Sequence, residues 1–199
     1  SGWTQLDPGA APGPTHPGPR LGAAALFDPV RNRFVFFGGR RSGVPTNETW
    51  AFQFPGNTWV QLDPGGASSA VPAARENHNL VYDPDLDAYL LFGGIRGGAC
   101  GDPLYNDVWL YTPGSGWSLR DPGGVAGPDR PIRRVTAAMT YDPVRQRHVM
   151  HGGSELVGCT QIWHNNTWEY DAVANRWREL QILTPMPTLA ASAGIAFDT

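Results

Sequence analysis

An apolar run that stops at a pair of glycines occurs three times in this chain: Phe34-Val35-Phe36-Phe37-Gly38-Gly39, Tyr89-Leu90-Leu91-Phe92-Gly93-Gly94 and His148-Val149-Met150-His151-Gly152-Gly153. A short continuous apolar run of this kind reads as a buried strand. The glycine pair ends it where the backbone needs positive φ or a close approach. The copies lie 55 and 59 residues apart. A pattern held at that spacing restricts the chain to repeat architectures, in which one small unit stacks on the next.

Other residues keep the same period. Arg20, Arg75 and Arg134 each stand eight residues before an Asp-Pro pair, at Asp28-Pro29, Asp83-Pro84 and Asp142-Pro143. The small and apolar stretches between them (residues 21–27, 76–82 and 135–141) predict a first strand, a. The Asp-Pro tetrads predict tight turns, because Asp favours the first turn position and Pro the second. The glycine-pair strand follows as b. After a longer polar connection comes Asn47-Glu48-Thr49-Trp50-Ala51-Phe52, which returns as Asn106-Asp107-Val108-Trp109-Leu110-Tyr111 and Asn165-Asn166-Thr167-Trp168-Glu169-Tyr170. Its aromatic and β-branched residues mark strand c. Trp59, Trp117 and Trp177 open strand d.

Each unit is thus four antiparallel strands, and no helical period occurs anywhere. A lone four-stranded sheet cannot bury two apolar faces. Radial stacking of such sheets solves the problem and gives a β-propeller. A two-layer β-sandwich is the alternative, and the in-phase repeat weighs against it.

Composition agrees with a packed core: 41% of the 199 residues are hydrophobic and eight are Trp. The 25 Gly and 19 Pro are patterned rather than scattered, so they mark turns and not disorder. A net charge of −3 gives no electrostatic case for nucleic acid or an anionic membrane surface. No run approaches the roughly 18 to 20 apolar residues of a membrane helix. All 15 basic residues are arginine, which points to the coding bias of a GC-rich, bacterial genome.

The glycine pairs, the c strands of form Asn-Asp/Glu-x-Trp-x-Tyr/Phe and the Trp that opens each d strand resemble Kelch repeats. The Asp-Pro turns and Asp-Pro-Gly-Gly connectors (at Asp63 and Asp121) are similar to the bacterial variety. The resemblance spans residues 1–199 as one all-β propeller segment. It implies blades at 20–62, 75–120 and 134–181, flanked by an outer strand of a preceding blade at 1–9 and the inner strand of a following one at 190–199. Three blades are fewer than the four or more of a closed propeller. The remaining blades are expected from the same longer chain or from other copies.

Antiparallel order puts the short a–b and c–d links on one face of the disc and the long b–c and d–a links on the other. Binding residues concentrate on long loops held by a rigid scaffold, so the b–c/d–a face is the expected working face. Arg20, Arg75 and Arg134 should open the innermost strands there. They read either as an anion clamp or as internal ties to connector carbonyls and acids. His78 in strand a is a candidate channel-facing ligand residue or a packed histidine.

Cys100 and Cys159 each lie six residues after their glycine pair. They form either a disulfide between blades or two free thiols. His148 and His151, three apart in a strand, point to opposite faces, which argues against a shared metal. No metal site, cofactor or catalytic set is expected. The reading is a secreted or surface-associated, extracytoplasmic scaffold that binds a protein or glycan. The alternatives are a sugar oxidase or an acidic-sugar mutarotase on the same disc, or a structural self-assembling component.

Overall fold

A computed structural model of the chain describes residues 2–9 and 12–181, all in strands, turns and loops. The first sheet contains β1 (Ala24–Asp28) and β2 (Arg33–Phe37). A small ribbon of β3 (Arg40–Arg41) and β4 (Val44–Pro45) follows. The sheet is then completed by β5 (Thr49–Gln53) and β6 (Thr58–Asp63). The second sheet is β7 (Asn79–Asp83), β8 (Ala88–Phe92), β9 (Val108–Thr112) and β10 (Gly116–Asp121). The third holds β11 (Ala138–Asp142), β12 (Arg147–His151), β15 (Thr167–Asp171) and β16 (Arg176–Leu180), interrupted by a ribbon of β13 (Ser154–Val157) and β14 (Thr160–Trp163). Each four-stranded sheet is an antiparallel meander in chain order.

The sheets converge along their first strands, where β7 touches both β1 and β11, and splay apart toward their last. That is the fan of a propeller and not the two layers of a sandwich. The innermost strands are also joined by backbone bonds: Asn77 N donates to Gly22 O at 2.8 Å, and Thr136 N to Asn77 O at 3.0 Å.

Burial explains the apolar runs. In β8, Tyr89 and Leu91 enter the core shared with Val35, Phe37 and Ala51 of blade 1. Ala88, Leu90 and Phe92 enter the core shared with Met139, Met150 and Trp168 of blade 3. With both faces covered, every β8 position is buried. The d-strand tryptophans reach backward: Trp117 lies edge-on to Phe37 at 5.0 Å, and Trp177 is tilted on Phe92 at 4.8 Å.

Each first strand starts three residues later than expected, at Ala24, Asn79 and Ala138. Gly22, Asn77 and Thr136 have positive φ and bend the chain, leaving Leu21, Glu76 and Val135 as isolated bridges to Arg40, Ile95 and Ser154. The two ribbons inside the long b–c loops were also not anticipated.

The expected outer strand at residues 1–9 is corrected: residues 2–9 form no strand, and Trp3 is fully exposed. No strand among the described residues pairs with this stretch. It rests instead on blade 1, where Asp7 accepts hydrogen bonds from Trp59 Nε1 (2.7 Å) and His16 Nε2 (2.8 Å). These bonds hold the Asp7 carboxyl down at about 2. The expected inner strand at 190–199 lies outside the described residues.

Candidate functional site: the long-loop face

The b–c loops and d–a connectors gather at one end of the blades. The residues that repeat there bind the scaffold together. Arg75, 0% exposed, donates from Nε to Ala73 O, from Nη1 to Gly93 O (2.9 Å), and from both Nη atoms to the two Asp107 oxygens (2.6 and 2.8 Å). Arg20 does the same in blade 1 with Gly38 O (3.0 Å) and Glu48 Oε2 (3.0 Å). In blade 3, Arg134 donates to Gly152 O (2.9 Å) and Asn166 Oδ1 (3.0 Å).

The anion-clamp expectation is therefore corrected. These forks sit inside their own blades, where each satisfies the carbonyl of the first paired glycine. An amide replaces the acid in blade 3, and burial lowers Arg134 to about 10, with Glu155 and Glu179 opposing the shift.

His78 does not face a ligand space. It is 6% exposed. Its ring is edge-on to Phe37 at 5.3 Å. Burial, aided by the nearby Arg75 charge, lowers it to about 3. His148 and His151 are separated as their spacing requires: His148 Nε2 meets Asp83 Oδ2 at 2.9 Å between blades, and His151 Nδ1 meets Thr167 Oγ1 at 2.9 Å. Among the described residues no three metal-ligating side chains converge.

The connectors after blades 1 and 2 are pinned by the Asn that opens the c-strand motif. Asn106 Nδ2 donates to Gly124 O and Pro131 O, both at 3.0 Å, and its Oδ1 accepts from Gly124 N at 3.1 Å. Asn47 repeats this with Gly66 and Pro72. The connectors become fixed walls, and two clefts open beside them. One, about 720 Å³, lies between the Gly66–Arg75 connector side and Arg96, Tyr105 and Asp107. The other, about 570 Å³, lies across Tyr105 and Asp107, against Val125, Ile132 and Arg133. Tyr105 separates them, with the Arg75 guanidinium 4.0 Å from its ring centroid.

Cys100 and Cys159 are joined as a disulfide with Cα atoms 4.9 Å apart. Cys100 is in the b–c loop of blade 2, and Cys159 is in the turn of the β13–β14 ribbon. The two loops lean together, which the matched offsets alone did not require.

Reading by repetition missed Arg96, Tyr105 and Arg133, because none of them is kept in all three blades. Arg96 takes the place of Arg41 and Glu155, and Arg133 that of Pro19 and Ala74. The available signal was a departure from the pattern at loop positions.

A family model of the KLHDC2/KLHL20/DRC7 Kelch-repeats domain matches residues 2–197. Among curated proteins, multiple epidermal growth factor-like domains protein 8 is 31% identical over 128 residues in Homo sapiens. The Mus musculus protein of that name is 29% identical over 127 residues. Each alignment covers 63% of this chain but only 4% of the relative, so the chain corresponds to a small part of those proteins. With three fanned four-stranded sheets and a family match over nearly its whole length, the chain belongs to the Kelch-repeat family.

Proposed function

We propose that this chain is a protein-binding propeller scaffold that takes its partner on the long-loop face, in an oxidising, extracytoplasmic compartment. The observation that carries the reading is the pair of clefts on either side of Tyr105. Their walls are held by Asn47, Asn106 and the Arg75–Asp107 pair, so they exist before any partner arrives. Preformed concave sites lose less entropy on binding. The turn face carries the tight Asp-Pro links and a smaller cleft, about 280 Å³, among Asp85, Tyr141, Arg147 and Asp171. Kelch domains in general bind proteins, which supports the class of partner. The exposed Cys100–Cys159 bond supports the compartment, since such bonds persist where thiols are oxidised.

Selection from an unbiased displayed-peptide library tests the reading. Binders should lose affinity on Tyr105→Ala and keep it on Val144→Asp, which alters an exposed turn residue at the opposite end. Binders that map to Val144 instead would refute it. Selective capture of an oligosaccharide on a glycan array, with no peptide binder found, would reassign the partner class.

A further inference from the structure

Each a–b turn opens on a buried aspartate, and two of the three hold an arginine of their own blade. Asp28 Oδ2 accepts from Arg31 Nη1 (3.3 Å) and Arg33 Nε (3.1 Å), and Asp142 Oδ2 accepts from Arg145 Nε (2.6 Å). In blade 2 the residues three and five beyond Asp83 are Leu86 and Ala88. Asp83 is 2% exposed. Its Oδ1 accepts from the amides of Asp85 and Leu86, both at 3.0 Å, and its Oδ2 meets only His148 Nε2, at 2.9 Å. Burial pushes the Asp83 carboxyl up, but the bonds from His148 and the turn amides outweigh it, so the group is ionised at neutral pH. The same exchange of residues opens a space. Between blades 1 and 2, Arg31 crosses the gap and clamps Asp87 with both Nη atoms, at 2.8 and 2.5 Å. Between blades 2 and 3 the matching residues are Leu86 and Gln146, and Leu86 leans into the core instead of crossing. A cleft of about 280 Å³ is left there, lined by Asp83, Asp85, Tyr141, Gln146 and the Arg147–Asp171 pair (2.9 Å).

We propose that this cleft takes a guanidinium group from outside, the side chain of an arginine on another protein, in the place that Arg31 fills one junction earlier. The site is on the turn face and does not depend on the long-loop reading. Val144 is not among its lining residues, so the two are tested separately. Three features select the occupant. Three carboxylates line the cleft against one cation, Arg147, which Asp171 already neutralises. Asp83 Oδ2, with a single donor, has room to accept another, and Asp85 and the Gln146 carbonyl add acceptors for a planar fork. A lysine ammonium, a compact and strongly hydrated point charge, matches such a spread of acceptors less well. The space is just below the roughly 300–1,000 Å³ of small-molecule sites, which suits one side chain. Val173, 77% exposed, forms part of the rim and offers contact to the backbone that carries the arginine.

The test uses synthetic peptides of Leu, Gly and Ser with one central Arg, the same peptides with citrulline or Lys in its place, and methylguanidinium alone. Binding to the full chain is read from amide chemical shifts at low and high salt. The Arg peptides should bind, weaken with salt, and exceed the citrulline peptides, which keep the shape and lose the charge, by tenfold or more. Asp85→Asn should weaken them about fivefold, the size of a partly exposed charge pair. Leu86→Arg rebuilds the arrangement of blade 1 and should abolish binding. Because Leu86 also leans on the core, Gln146→Arg supplies the same block from an exposed residue lining the cleft. Asp129→Asn removes an exposed acid of a long-loop connector and should change nothing.

Equal binding of Arg and citrulline peptides overturns the proposal, and so does failure of every Arg peptide to bind at low salt. A loss on Asp129→Asn equal to that on Asp85→Asn, or undiminished binding by both Leu86→Arg and Gln146→Arg, places the contact elsewhere and overturns it too. Lys peptides that match the Arg peptides remove the guanidinium from the assignment. Methylguanidinium that binds as tightly as the Arg peptides overturns the protein source in favour of a free guanidinium compound.

Discussion

The amide of Gly39 donates to the carbonyl of Arg75 at 2.9 Å, so the end of one blade's second strand is bonded to the start of the next blade's first. Gly94 and Arg134 repeat the bond at 3.0 Å. The preceding glycine makes the approach possible. A Cβ on Gly38 or Gly93 would stand 2.7 Å from that same carbonyl, and both have positive φ, 63° and 73°. The paired glycines are thus a blade-to-blade junction as well as a strand end.

Gly93→Ala should cost about 3 kcal/mol or more, combining a left-handed backbone penalty of about 1–2 kcal/mol with the overlap against a backbone atom that cannot rotate away. Gly127→Ala, at a residue with open space and ordinary φ, should fall within about 0.5 kcal/mol of the parent. Urea unfolding of both variants checks the contrast. Equal midpoints would show that the junction tolerates a methyl group.

Turn acids form a second junction. Asp28 is 0% exposed, and its Oδ2 accepts from Tyr89 Oη (2.5 Å) in the next blade and from Arg33 Nε (3.1 Å) in its own. Burial pushes the carboxyl up, but the bonds from Tyr89 and Arg31 outweigh it and hold it below the ordinary carboxylate range. A depressed acid stabilises the fold above its unfolded value, near 3.9, and that contribution fades as pH falls through the lower folded value. Asp28→Ala should cost about 3–5 kcal/mol at pH 7 by leaving Arg33 buried and unpaired, and Tyr89→Phe about 1–2 kcal/mol. The gap in urea midpoint should hold from pH 7 to 5 and narrow at pH 3. A constant gap would show that the carboxylate charge is not what matters.

The strand order, the glycine pairs and the blade spacing were legible because each rests on residues repeated in all three units. Repetition averages out local noise, and the pattern of β8 follows directly from burial of both faces. The site was less legible for the same reason. Arg75 repeats because it serves the scaffold, so its recurrence was a structural signal. Arg133 does not repeat, and Arg96 shares its place with Arg41, which Glu48 holds, so recurrence does not tell one arginine's surroundings from the other's. The segment before Gly9 reads as a strand from Trp3 to Leu6, yet strand propensity without a neighbouring strand leaves backbone groups unpaired.

His78 gives a pH response of the same sign by another route. Buried beside Arg75, it stays neutral down to about pH 3, while an unfolded His takes a proton near 6.5. The unfolded chain binds the extra proton between those values, so stability should fall as pH drops from about 6.5 toward 3, at up to about 1.4 kcal/mol per pH unit. His78→Leu fills similar space without polar atoms. It should be neutral or stabilising at pH 7 and should flatten the curve from pH 6 to 4. Parallel curves for parent and variant would assign the acid sensitivity to the turn carboxylates alone.

The Cys100–Cys159 bond spans 59 residues of sequence and ties two loops whose strands belong to different blades. In the chain-entropy picture, closing a loop of that length limits the unfolded ensemble by about 4 kcal/mol, an upper figure for what Cys100→Ser with Cys159→Ser would remove. The packed core between blades 2 and 3 does not involve these residues, so the double variant should still fold. Its loosening should be local: faster hydrogen exchange at residues 96–104 and 155–163, with β8 and β12 protected as in the parent. Exchange that rises uniformly over blade 3, or not at all, would mean that the bond does not set the position of the loop carrying Arg96.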